Sequence, residues 1–224
     1  MFQRRSISGR DDNRRVPVRD IDGARAALAA RKPEELIGLA ECGWLDVKGG
    51  VYRLDEPTGA DELAKDVAAF ANTKAGGLLL VGFSTRREHD REILDALRPV
   101  PRRLVGLDRY RKLIRERVVP PLRGVNVEQI DCGGSACILV IDVPAQPAGH
   151  LPHFVPGPAG STDPGRASVA VPIREGDATA WLPRAELQRL LAAGWAAEGG
   201  PSEQFLNSLI ERASRGGATG FGAR

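Results

Sequence analysis

Two carboxylates and an amine stand at short intervals in Glu41-Cys-Gly-Trp-Leu-Asp46-Val-Lys48. Carboxylates that converge on one point suit Mg²⁺ or Mn²⁺, because hard cations want oxygen ligands and can clamp a phosphodiester. A neighbouring Lys48 would contact the phosphate. The same residues admit a plainer reading. If the stretch is a strand, alternation places Trp44, Asp46 and Lys48 on one face and Leu45 and Val47 on the other. Asp46 and Lys48 are then a same-face ion pair at a polar surface or cleft.

Other residues invite the same two-sided reading. Asn72 and Thr73 end a helix, where they could hydrogen-bond a ligand phosphate or sugar, or satisfy the last helix carbonyls. Arg174, beside Glu175 and Gly176, could reach an acidic cleft or a phosphate, or form a surface ion pair of little energetic weight. Arg109, Arg111, Lys112, Arg115 and Arg117 make one helix positive over most of its circumference. With Arg102, Arg103 and an arginine-rich start it could track phosphates, or simply be a solvated face. Aromatic residues are scarce, so base stacking has little support. His150 and His153 lie in a proline-flanked loop without the further ligands that zinc needs. There is no G-x-x-x-x-G-K-[ST] loop, and Gly76-Gly77 opens a strand rather than a helix, so nucleotide hydrolysis is not indicated.

The elements that must position these residues follow from pattern. Residues 1–19 are arginine-rich and poor in apolar side chains, and read as a basic arm. Asp22–Arg31 has strong helix formers and an aspartate cap. Pro33 opens a second helix through Ala40 that Gly43 ends. Asp61–Lys74 carries Leu63, Val67, Phe70 and Ala71 at helical spacing. Ala75-Gly76-Gly77 stops it, and Leu78–Val81 is continuously apolar, as a central strand is. Arg86–Asp95 reads as a charged connection, and Asp108–Val119 as a helix stopped by Pro120-Pro121. Val125–Asp131 and Ala136–Val143 read as a hairpin across Cys-Gly-Gly-Ser. Pro144–Gly165 is a long surface loop, Ser168–Arg174 a last strand and Trp181–Leu191 a last core helix. An amphipathic piece at Phe205–Ile210 leads into a glycine-rich tail.

A chain of 224 residues suits one domain with extended ends. Its net charge of +3 means that affinity for nucleic acid has to come from local clustering. Abundant Ala, Arg and Gly with few Lys is the composition of a high-GC, bacterial-like coding sequence. Three cysteines, Cys42, Cys132 and Cys137, have no framework spacing and favour reduced thiols in the cytoplasm. No apolar run approaches the roughly 20 residues that span a bilayer, and the first residues lack the apolar core of a signal peptide.

Glu41-x-x-x-x-Asp46-x-Lys48, then Ala69-Phe70-Ala71-Asn72-Thr73-x-x-Gly76-Gly77 and Leu80-Val81-Gly82, resembles the Schlafen AlbA-type domain. Val171-Pro-Ile-Arg174-Glu-Gly176 is similar to that family's terminal strand, and the resemblance covers roughly residues 33–193. It implies a nucleic-acid-binding domain. In the family's animal members the scaffold is an endoribonuclease acting on tRNA and rRNA through a metal-dependent carboxylate cluster. Glu41 and Asp46 fall on its first two acids. The third falls near Ser84 or Thr85, and the nearest acids are Glu88 and Asp90.

The expectation is therefore a single mixed-sheet domain of α+β or α/β class, with a β-α-β core and flanking helices. Its divisions are 1–32, a basic arm and helix; 33–193, the domain; and 194–224, a tail. The expected function is backbone-directed binding of RNA or DNA through Lys48, Asn72, Thr73, Arg86, Arg87, Arg109, Arg111, Lys112, Arg115 and Arg174. A metal-dependent endoribonuclease is the alternative, with Glu41, Asp46 and Lys48 catalytic and Glu41 and Asp46 holding Mg²⁺ or Mn²⁺. A protein-interaction module with a vestigial cleft is the third reading. No membrane partner is expected, and a homodimer is compatible with the sequence.

Overall fold

In the computed structural model, residues 18–157 and 168–197 are described. They form a single α+β domain around a mixed sheet. The first helix, α1 (Ile21–Ala29), is capped by Asp20, whose Oδ1 accepts the Gly23 N–H at 2.8 Å. The stretch after Pro33 is only a 3-10 turn, Pro33–Leu36, because Gly38 takes a left-handed conformation (φ 95°) and turns the chain out of the helix. Strand β1 (Leu45–Lys48) leads to α2 (Pro57–Ala71), which starts a turn earlier than the apolar spacing suggests, with Pro57 in its first turn. Strand β2 (Gly76–Val81) then runs parallel to β1, so the expected β-α-β core is present.

The next segment departs from expectation. Arg86–Asp95 is not a connection but most of a hairpin, β3 (Phe83–Glu88) and β4 (Arg91–Leu97). His89 and Asp90 both have positive φ at its tip, the twist a two-residue hairpin turn needs. Short β5 (Val100–Pro101) precedes α3 (Leu107–Arg117), and β6 (Asn126–Asp131) pairs with the long β7 (Ala136–Pro144) as the hairpin signal predicts. The sheet runs β1-β2-β7, with β6 on the far side of β7 and β5 beyond the end of β2. Four short strands follow, in two hairpins. β8 (Val155–Pro156) pairs with β9 (Val169–Ala170), and β10 (Pro172–Glu175) pairs with β11 (Ala178–Trp181). Trp181 thus ends a strand, and α4 (Arg184–Ala197) runs past Gly194.

The apolar run in β2 is explained by burial on both faces. Leu79 and Val81 join α2, α3 and the odd-numbered positions Leu139 and Ile141 of β7 on one side. Leu78 and Leu80 join Ala24, Ala27 and Leu28 of α1, with Phe83 and Leu94, on the other. Helix α1 is therefore part of the core rather than an appendage of the arm. Arg25 fixes it further, its Nη2 donating to Asp142 Oδ1 of β7 at 2.9 Å. Of the arginine-rich start, Arg4, Arg5, Arg10, Arg14 and Arg15 lie outside the described residues, as does Phe205–Ile210.

The Phe-Ala-Asn-Thr-x-x-Gly-Gly run has a packing reason at each end. Phe70 is fully buried against β2, and a Cβ at Gly77 would overlap its ring. Gly76 has φ 70° and lies against the Val143 carbonyl, so it too excludes a side chain. Asn72 clamps α2 to two distant segments. Its Nδ2 donates to His153 O and Pro172 O, both at 2.9 Å, and its Oδ1 accepts the His153 N–H at 2.7 Å. Gly77→Ala is expected to cost about 1–3 kcal/mol through overpacking. Asn72→Ala is expected to cost about 2–3 kcal/mol by leaving partly buried backbone groups unpaired. Urea denaturation measures both, and a loss under about 0.5 kcal/mol, the range of an ordinary surface substitution, would contradict this account.

Candidate functional site

Asp46 sits in the middle of edge strand β1. Alternation sends Leu45 and Val47 into the core on the α1 side, leaving Asp46 and Lys48 facing α2. The face is not an open polar surface, because Asp46 is only 3% exposed. Two cations compensate the buried carboxylate. Arg174 Nη1, from β10, donates to Asp46 Oδ1 at 3.1 Å, and Lys48 Nζ lies 2.8 Å from Oδ2. The Arg174 side chain is itself 3% exposed. Its Nη2 donates to Cys42 O at 3.2 Å and Leu45 O at 3.4 Å, and its guanidinium carbon lies 5.1 Å from the Phe70 ring centroid. The guanidinium is enclosed by the protein, with only its buried Nε left without a hydrogen-bond partner, so Arg174 does not present itself to a phosphate.

Glu41 also has an internal task. Its Oε1 accepts the Val47 N–H at 3.0 Å, covering an outward donor of the edge strand. Burial pushes its carboxyl up to about 7, and the Asp46 charge adds to the rise. The Val47 hydrogen bond, Lys48 and Arg174 act in the opposite direction without overcoming it.

Asp66 of α2 completes the cluster. It is 4% exposed and accepts the Tyr52 hydroxyl at 2.6 Å on Oδ2. Lys48 Nζ lies 3.5 Å from the same oxygen, and Lys65 Nζ lies 3.3 Å from Oδ1. Burial works to lower the Lys48 pKa, but Asp66 and Asp46 outweigh it and hold the ammonium above its ordinary value. Burial, then Asp66, pushes the Tyr52 hydroxyl well up, keeping it a donor. Asp66 is the residue sequence reasoning passed over. The signal was present: between Leu63 and Phe70 it falls on the apolar stripe of α2, where an acid needs a partner.

These donors do not fit a divalent cation. The Lys48 ammonium stands between Asp46 and Asp66, and no group of three His, Cys, Asp or Glu side chains able to hold a metal occurs among the described residues. Glu88 and Asp90 do not supply the third acid. They pair with Arg86 and Arg87 inside the β3–β4 hairpin.

The remaining candidates separate clearly. Thr73 Oγ1 donates to Phe70 O at 2.8 Å, so Thr73 and Asn72 are both fastenings of the α2 terminus. Arg86 also pairs with Asp95, so both arginines expected to hold phosphate from this hairpin are engaged with its own acids. Arg109 is tied to Leu54 O at 2.7 Å and to Asp55 at 2.6 Å. Arg111 donates to Val127 O at 2.6 Å and to Asp108 at 3.0 Å, while Arg117 pairs with Asp61. Lys112 reaches Glu116 only at 3.8 Å, and Arg115 is exposed with no ion pair among the described residues. Arg111 and Arg115 line a cleft of about 270 Å³ with Ile114, Leu122 and Val125, and no carboxylate is in its lining. His153 is fully buried, its Nδ1 donating to Pro120 O at 2.8 Å, and it serves the Asn72 clamp rather than a metal.

Two predictions follow from the cluster. Arg174→Met should cost about 3 kcal/mol or more, because it strips a buried carboxylate of its main partner. Asp46→Asn in the same chain should recover part of the loss, as urea denaturation of both variants would show. For Glu41 the folded pKa lies above the ordinary 4.5. Its contribution to stability is therefore complete below the unfolded pKa and is lost as pH rises through about 7. Glu41→Gln, which can still accept the Val47 N–H, should gain melting temperature relative to wild type on going from about pH 5 to about pH 8. A difference that does not vary with pH would contradict the assignment.

No family model and no curated protein matches the chain. Among solved structures it is similar to the DIP2311 protein from Corynebacterium diphtheriae, at 22% identity and a TM-score of 0.41. The match covers 77% of this chain but only 34% of that one.

Proposed function

We propose that the chain is a nucleic-acid-binding module that holds RNA or DNA by its phosphates along the outer face of α3. The observation that carries this reading is the α3 cleft where Arg115 stands exposed, with no ion pair among the described residues and no carboxylate in the lining, beside Arg111, whose charge is only partly met by Asp108. A guanidinium fork matches phosphate oxygens two at a time. Lys112, held only loosely by Glu116, adds a third cation to the same helix. The cleft's apolar residues are Ile114, Leu122 and Val125 rather than aromatics, which suits contact to the backbone instead of base stacking. The resemblance to the Schlafen AlbA-type domain supports the same reading. The endoribonuclease alternative loses its support where Lys48 and Arg174 neutralise the carboxylates that a metal would need.

The described residues contain no helix long and apolar enough to cross a membrane. The cysteines are free thiols, which suits a reducing cytoplasm as the place of action.

The test is a gel-shift titration with labelled tRNA and single-stranded DNA over a range of salt, with Mn²⁺ or chelator. Wild type should retard intact nucleic acid, with affinity falling steeply as salt rises. The pair Lys112→Glu and Arg115→Glu should weaken binding by about tenfold or more and flatten the salt slope by about 1 to 2, at unchanged melting temperature. Absence of any shift at low salt would remove the proposal. Metal-dependent cleavage lost in Asp46→Ala would replace it with the nuclease.

A further inference from the structure

A second cleft, of about 490 Å³, lies between the loop after β1 and the flank of α2, and nothing in the proposed nucleic-acid surface uses it. Loop and helix approach closely here. A Cβ on Gly59 would overlap the Arg53 carbonyl, so glycine is what lets the loop rest on the first turn of α2. The inner end of the cleft is formed by Lys48, Tyr52, Lys65 and Asp66, and Glu62 stands on the same helix flank.

The charges are unevenly spent. Among the residues that line the cleft, Lys48 and Lys65 both face the single carboxylate of Asp66, at 3.5 and 3.3 Å, while Arg53 and Glu56 pair with each other at 3.6 Å. The inner lining therefore holds two ammonium groups to one carboxylate. The Lys48 and Lys65 side chains are 37% and 32% exposed, so their ammonium groups keep hydrogens for a visitor. Glu62 is the opposite case. An i,i+3 lysine would ordinarily pair with it, but Lys65 is turned to Asp66 instead. Glu62 is exposed and makes no ion pair among the described residues. The cleft thus presents a positive floor and an uncompensated carboxylate, separated by three residues of helix, about 5 Å along the axis.

From this separation we infer that the cleft binds a small zwitterion of the amino-acid class, its oxyanion on Lys48 and Lys65 and its ammonium on Glu62. A free phosphate would meet Glu62 as a repelling charge, and a diamine would meet the lysines. A neutral, dipolar molecule of a few ångströms complements both poles. The volume lies within the range of small-molecule sites and leaves room for an amino-acid side chain along the Tyr52 ring.

Isothermal titration of the full chain with each proteinogenic amino acid in turn tests this, with inorganic phosphate, acetate and putrescine as controls. At least one amino acid should bind and raise the melting temperature. Glu62→Gln, at an exposed position, should keep the fold and weaken that amino acid by roughly tenfold, the worth of one charge-assisted hydrogen bond. Lys65→Met should weaken it similarly, and acetate should be indifferent to Glu62→Gln. Failure of every amino acid to bind would overturn the proposal. So would phosphate binding as tightly as any amino acid, or a Glu62→Gln variant that binds like wild type. None of these outcomes depends on whether α3 binds nucleic acid.

Discussion

The buried charge of Asp46 is the constraint to which the rest of the structure answers. A carboxylate at that depth is costly unless it is paired and hydrogen-bonded. Its principal partner comes from 128 residues further along the chain, on the last hairpin of the domain. To deliver Arg174 there, β10 has to lie over the end of α2, where Asn72 holds the Pro172 carbonyl. Arg174 in turn lies over Phe70, and Phe70 lies where only a glycine at 77 leaves room. Edge strand, helix, central strand and terminal hairpin are thus joined by one run of contacts from Asp46 to Gly77.

That run changes what the chemistry-bearing residues mean. Paired acids beside a lysine are the raw material of a metal site, yet here each is already engaged. Glu41 covers an edge-strand donor, Asp46 holds two cations, and Lys48 bridges two acids. The outward groups of β1 are met in this way by Glu41 and Arg174. On the opposite edge, Arg31 and Arg111 donate to the Gln129 and Val127 carbonyls of β6. Side chains thus blunt both margins of the sheet, which limits pairing with foreign strands. Polar residues that resemble a site in the sequence do much of their work as fasteners.

The parts of the fold legible in the sequence are those governed by local period. The α2 stripe, the two-sided burial of β2 and the β6–β7 turn each leave a pattern within a dozen residues. The β3–β4 hairpin did not, because Arg86, Arg87 and Glu88 are consecutive exposed positions and show no alternation. Helix α1 was legible as a helix but not as core, since small alanines carry its packing face and give no strong apolar signal. At the site, Asp46 and Lys48 were placed on one face correctly. What pattern could not supply was distance. The sequence left Arg174 between an acidic cleft, a phosphate and a surface ion pair, and only the fold brings it to Asp46. The pairing of Arg109, Arg111 and Arg117 with separate carbonyls and acids is equally nonlocal.

The two cations on Asp46 also show why their identities are not interchangeable. Arg174 must satisfy a carboxylate, two backbone carbonyls and the Thr179 hydroxyl at once while lying over an aromatic face. A planar group with several fixed donors can do that, and a point charge cannot. Lys48 has the complementary problem. It has to stand between Asp46 and Asp66 and still reach the cleft, at distances of 2.8 and 3.5 Å. A compact ammonium with three donors fits between two carboxylates where a guanidinium fork would crowd them. The buried cation is therefore the arginine and the accessible one the lysine. The accessible one is the member of the pair left with hydrogens for a ligand.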